Sequence, residues 1–174
     1  MKKLWILPII VVTALLFTVL GIYITKAQKP VQNAVNAPQP ISVPLDANKI
    51  LELVNAERAK VGVAPLVSDP RLVASAQAKA DDMVANNYFN HVSPVTGKHG
   101  YENIPKGMCV MSSENIQSSP KEGDNNHDAV TWWMNSKPHH DAMLDARYNL
   151  TGIGTAYNPK QDRYISVQHF CQTN

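Results

Sequence analysis

The sequence predicts an α+β fold: helices come first, a β-hairpin comes last, and a mostly antiparallel sheet is covered by helices. Three observations carry this. Two segments, opening at Asp46 and Asp69, place apolar residues at helical spacing. The stretches LTGIGTAY (150–157) and RYISVQHFC (163–171) read as strands joined by a short loop at Asn158-Pro159. No internal repeat is present beyond a doubled Glu-Asn-Ile triplet, at 102–104 and 114–116, which is too short to build a solenoid.

The chain has 174 residues and divides into three parts. Lys2-Lys3 is followed by a run of 21 uncharged residues, Leu4 to Ile24, long enough to cross a bilayer as a helix. The apolar core of a cleavable signal peptide is shorter, roughly 7–15 residues, so residues 1–27 read as a membrane anchor. The alternative is a signal peptide cleaved near Ala27, where small side chains stand at the right offsets. The positive-inside rule keeps Lys2 and Lys3 in the cytoplasm and sends the rest out. Residues 28–45 are proline-rich and lack apolar periodicity, which makes a linker. Residues 46–174 form the domain, large enough for one packed core.

Within that domain, Asp46 caps a first helix with Ile50, Leu53, Val54 and Val61 on one face, and Gly62 stops it. Asp69-Pro70 starts a second helix with the stripe Leu72, Val73, Ala76, Ala80, Met83 and Val84, ended by Asn86-Asn87. Residues 88–107 hold two prolines and three glycines and read as a loop. Met108 to Ile116 reads as a strand and 118–126 as a turn. Asp124 or Asn126 caps a third helix through Ala129, Val130 and Trp133, and Ser136-Lys137-Pro138 restarts a short fourth helix to Leu144.

Charge excludes one class of partner. Three of the 16 basic residues (Lys2, Lys3, Lys26) lie in or beside the apolar run, which leaves 13 against 14 acidic. No basic cluster stands out, so nucleic acid is not expected. The two cysteines, Cys109 and Cys171, are expected to pair, because an even count in an exported chain points to a disulfide. A bridge between them would pin the central strand to the last one.

The chain has no HExxH helix, no G-x-S-x-G elbow and no phosphate-binding loop. Its chemistry-bearing candidates are six histidines and the two glutamates of the doubled triplet. His91, Glu114 and His139 stand out because each falls at a junction between predicted elements, where functional groups tend to sit. Trp132-Trp133 precedes His139 closely, and aromatics can wall a cleft. His169 shares strand parity with Ile165, Val167 and Cys171 and reads as a hydrogen-bonded core histidine.

An ordered set of motifs resembles a known family. Asn55-x-x-Arg58-x-x-x-Gly62-x-x-Pro65-Leu66 is similar to the opening signature of bacterial CAP/SCP domains, whose superfamily includes cysteine-rich secretory proteins, antigen five and plant pathogenesis-related class-one proteins. Leu72 to Met83 is similar to the second helix, Phe89-x-His91-x-Ser93-Pro94 to the F-x-H-x-S-P segment, and Ser113-Glu114-Asn115-Ile116 to the G-E-N-I box. Trp133-Met134-Asn135-Ser136-x-x-His139 resembles the W-M-N-S-P-G-H box, and Gly152-Ile153-Gly154 with Tyr164 to Phe170 resembles the final hairpin. The resemblance covers residues 46–171 and implies a three-layer αβα sandwich. It selects Glu114, 23 residues after His91, over Glu102, which reads as a solvated loop residue.

Two departures matter. Ser113 stands where the family has glycine, and the second glutamate of animal and plant members is missing, since Asn135 and Ser136 occupy the corresponding offsets. The resemblance therefore implies a His-Glu-His set, His91, Glu114 and His139, as the ligand-binding site. On that resemblance His91 and His139 are the expected metal-ligating imidazoles, with zinc or another divalent ion as the expected cofactor. The expected partners are the membrane, through the N-terminal helix, and a lipid, cell-wall or cell-surface ligand. Whether the domain is an enzyme stays open. The same groups would also serve a metal-assisted hydrolase acting on peptides or cell-wall polymers, or a purely structural hydrogen-bond network.

Overall fold

The structure is a computed structural model and describes residues 42–174. The anchor or signal peptide read at 1–27, and the linker as far as residue 41, lie outside the described residues. Among the described residues no helix is long and apolar enough to cross a membrane.

The order of elements is β1 (Ser42–Val43), α1 (Ala47–Lys60), β2 (Val67–Ser68), α2 (Pro70–Ala85), a 3₁₀ turn (Gly100–Asn103), β3 (Met111–Pro120), β4 (Gly123–Asp124), α3 (Asn125–Asn135), α4 (Lys137–Leu144), β5 (Leu150–Asn158) and β6 (Arg163–Gln172). The helices start where capping chemistry predicts. The Asp46 carboxylate accepts from the backbone of Asn48 and Lys49, Asp69 accepts from Arg71 with Pro70 at the first helical position, and Asp124 accepts from Asn126 and His127.

The main sheet runs β2-β5-β6-β3. β5–β6 and β6–β3 are antiparallel and the short β2 joins β5 in parallel, so the sheet is mixed but mostly antiparallel. One face packs on α2 through Ala76, Ala80, Met83, Ile116, Ile165 and Val167. The other packs on α1, α3 and α4 through Ile50, Val54, Val130, Trp133, Met143 and Phe170. This is the αβα sandwich.

Gly152 and Gly154 let α2 lie close. A Cβ on Gly152 would overlap the backbone of Leu72 and Val73, and one on Gly154 would overlap Ala76 and Gln77.

Three details differ from the sequence reading. Ser42 and Val43, placed in the linker, pair with Gly123 and Asp124. The Val43 and Pro44 carbonyls accept from the buried amides of Asn125 and Asn126, so side chains 82 residues away order this segment. β3 starts later and runs further than Met108–Ile116, through the serines read as a turn. It persists because β6 continues opposite it and the Arg163 guanidinium binds Ser118. The 3₁₀ turn sits inside the stretch read as loop.

Asn55 and Arg58 tie α1 to its surroundings. Asn55 exchanges hydrogen bonds with the Leu66 backbone. The buried Arg58 guanidinium donates to the carbonyls of Ala64, Met143, Asp145 and Tyr148. Cys109 and Cys171 form the disulfide, with Cα atoms 5.4 Å apart.

Candidate functional site

Register places the centre of the site. Glu114 on β3 faces His169 on β6, and His169 faces Gly152 on β5. All three lie on the α2 face. His169 Nε2 donates to Glu114 Oε2 at 2.8 Å, and Ser75 Oγ of α2 lies 2.9 Å from His169 Nδ1. The missing side chain of Gly152 brings α2, and with it Ser75, down onto His169. Gly100 serves the same purpose on the loop side, where a Cβ would collide with the Glu114 carboxylate and the Lys79 stem.

His91 comes from the loop after α2. Its Nδ1 donates to Glu114 Oε1 at 2.7 Å. A carboxylate only accepts, so Nδ1 of His91 carries the proton and the neutral ring keeps its lone pair on Nε2. The loop is held by the buried Lys79, whose ammonium donates to the His91 carbonyl at 2.9 Å and to the Tyr88 hydroxyl at 3.0 Å. Tyr88 in turn donates to Asp82.

His139 arrives from the first turn of α4. Its Nδ1 is 2.7 Å from Ser136 Oγ, and its carbonyl accepts from Asn115 Nδ2 at 3.1 Å. Asn115 follows Glu114 on the opposite face of β3. One edge strand thus orients the carboxylate with one residue and tethers α4 with the next. The rings of His91 and His139 stack at 6.2 Å between centroids, 24° apart, and Trp132 packs on His139 at 4.8 Å.

The structure therefore brings His91, Glu114 and His139 together, in unequal roles. The Glu114 side chain is 1% exposed and both its oxygens are taken by His91 and His169. It lies beneath His91 and holds that ring by a hydrogen bond. Its carboxylate thus faces two imidazoles within the protein, one buried and one half-exposed. The His91 side chain is 41% exposed.

The electrostatics follow from these contacts. Burial pushes the Glu114 carboxyl up, but hydrogen bonds from His169 and His91 and the nearby Lys79 charge outweigh it, and its pKa falls below the usual value. Burial, with the neighbouring His91, lowers the pKa of His139 and favours its neutral form. Burial also lowers Lys79, against the opposing pull of Glu114 and Asp82.

A four-coordinate zinc site drawing three ligands from the protein does not fit this arrangement. Among the described residues no group of three or more His, Cys, Asp or Glu could hold a metal ion. What the arrangement presents is a pair of imidazoles, one of them hydrogen-bonded to a buried carboxylate.

The remaining histidines and aromatics lie elsewhere. His140 faces Asp141, His99 stacks on Tyr101, and His127 lies near Asp124. Glu102 accepts from the His99 backbone and caps the 3₁₀ turn. Trp133 is core, whereas Trp132 walls the cleft. A concavity of about 470 Å3 between α1 and α3, lined by Leu53, Ala56, Val130 and Met134 among others, includes none of the three site residues. Sequence reasoning missed Ser75, Lys79 and Gly100, and it missed that His169 bonds to Glu114. Only the cross-strand register reveals that bond.

Comparisons with known proteins agree with this fold. The chain is 37% identical to the Bacillus subtilis (strain 168) protein YkwD over 128 residues, 66% of this chain and 44% of YkwD. It is 33% identical to the membrane protein YlbC of the same organism over 124 residues, 70% of this chain and 33% of YlbC. The chain thus spans less than half the length of these relatives. A solved extracellular protein containing an SCP domain, from Bacillus anthracis str. Ames, superposes with a TM-score of 0.61 at 25% identity, covering 76% of this chain and 45% of that one. Residues 51–170 match the family model described as CAP, the cysteine-rich secretory protein family, and with the sandwich fold and the ordered motifs in place the chain belongs to that family.

Proposed function

We propose that this chain is an exported, membrane-tethered binding module whose His91–His139 pair takes a divalent cation such as zinc, or a small polar ligand in its place. The observation that carries the reading is the 2.7 Å hydrogen bond from His91 Nδ1 to a buried carboxylate, beside a second imidazole 6.2 Å away between centroids. The carboxylate fixes ring orientation and tautomer, and the lone pair on Nε2 is left for a ligand. Two imidazoles fill two of the positions around a cation, and water or a bound ligand completes the set, so affinity is modest and the ion can exchange. The lowered pKa of His139 favours the neutral form a ligand requires. Export rests on the 21-residue uncharged run. The relatives' names, an extracellular protein and a membrane protein, support it.

The test is calorimetric titration of zinc into the detergent-solubilised full chain. Binding is expected in the parent, lost in His139→Ala and retained in His140→Ala, because neighbours on a helix point about 100° apart. Glu114→Gln should weaken binding roughly 10–100-fold, as loss of an outer-sphere partner does. Absence of zinc binding by the parent, or equal loss in both histidine variants, would overturn the reading.

A further inference from the structure

The geometry points to a second subsite beside the histidine pair, for a neutral pyranose unit of a glycan, with Trp132 as its stacking platform. This deepens the binding-module reading by naming a ligand class, and it rests on that reading only for its biological setting.

Asp128, Thr131, Trp132 and Asn135 stand at i, i+3, i+4 and i+7 of α3, which puts them on one face of the helix. Ala129, Val130 and Trp133 take the other face and fill the core. Across from the first face lie the end of β3, from Gln117, and Arg163 of β6. Between them is a concavity of about 440 Å3, within the size range of small-molecule sites.

The lining is specific in kind. Trp132 is 46% exposed although it sits on a rigid helix. Its indole offers an apolar face and an N–H at the edge. Asp128, Thr131 and Asn135 are exposed on this face, so a solvated carboxylate, hydroxyl and amide border the space. The Arg163 guanidinium is fixed by its two bonds to Ser118.

An aromatic plane ringed by mixed donors and acceptors matches a sugar ring. Its C–H face covers the indole and its hydroxyls both give and accept hydrogen bonds. An alkyl chain would desolvate the polar groups without pairing them. A sulfated or phosphorylated ligand would meet Asp128, whose charge offsets that of Arg163. A neutral glycan faces neither penalty. The same indole packs on His139 at 4.8 Å, so a glycan on Trp132 would continue toward the histidine pair.

The experiment is calorimetric titration of chitotetraose and cellotetraose into the full chain, with a sulfated tetrasaccharide and laurate as controls. Saturable binding of at least one neutral tetrasaccharide is expected. Trp132→Ala should weaken it roughly tenfold or more, as removal of an anchoring tryptophan does. Trp132→Phe, which keeps an aromatic plane, should retain part of it, and Asn135→Ala should cost less than Trp132→Ala. His140→Ala, at a ring that faces Asp141, should leave the sugar bound. No binding of either neutral sugar, unchanged affinity in Trp132→Ala, or preference for the sulfated sugar or laurate would overturn the assignment. If zinc fails to bind while the sugar binds, the cation reading falls and this one stands.

Discussion

Glu114 and His169 are register partners across β3 and β6, joined by a 2.8 Å hydrogen bond with neither side chain more than 1% exposed. That pair connects the candidate site to the core. Ser75, Gly152 and α2 stand behind His169, and His91 stands in front of Glu114. Disturbing the buried pair should therefore reach the surface imidazole.

Acid should reveal this. Glu114 is held below its ordinary pKa of 4.5 in the folded chain. A depressed carboxylate contributes stability that is present above the unfolded pKa and lost as pH falls through the folded one. Urea midpoints measured from pH 6 downward should fall for the parent. Glu114→Gln, less stable at neutral pH, should show a shallower fall. Parallel curves would mean that Glu114 carries no share of the acid sensitivity.

Gly152→Ala should cost more than most single substitutions, at least about 3 kcal/mol, because the added methyl meets helix backbone rather than a movable side chain. Gly62→Ala is the control. There the methyl meets nothing, and only the left-handed φ of +72° is penalised, on the order of 1 kcal/mol. Urea unfolding of the two variants should rank them in that order.

Arg58→Met should destabilise by about 3 kcal/mol or more, since four carbonyls lose their donor in the interior. Because Arg58 joins α1 to the segment after α4, the loss should also raise amide exchange around Met143 to Tyr148. Hydrogen exchange followed by mass spectrometry would detect it.

Reduction of Cys109–Cys171 releases a loop with a sequence separation of 62. Loop-closure entropy alone assigns such a bridge about 4 kcal/mol. For a domain of this size the melting temperature should fall by roughly 10 °C or more. Scanning calorimetry with and without reductant is the measurement, and alkylation under native conditions should find no free thiol.

The N-terminal run makes its own prediction. The expressed chain should fractionate with membranes at full length, as expected of a 21-residue uncharged segment behind two lysines. N-terminal sequencing of a soluble product beginning at Gln28 would replace the anchor with a cleaved signal and leave the exported domain unaffected.

Much of this protein was legible in its sequence. Asp46, Asp69 and Asp124 start helices because a capping carboxylate acts on the next few amides. The terminal hairpin follows from strand composition and turn chemistry. These are local effects, decided within a few residues. The choice of His91, Glu114 and His139 came from ordered motifs. What the sequence left undecided was non-local. The pairing of β1 with β4, the parallel joining of β2 to β5 and the extension of β3 each depend on a partner strand far along the chain. The role of Glu114 depends on it too. A carboxylate in a G-E-N-I-like box can face solvent, a ligand or a partner residue. Only the register that sets it against His169, and the glycines that press α2 and the 3₁₀ turn onto the pair, spend both its oxygens inside the protein and leave the imidazoles to meet the outside.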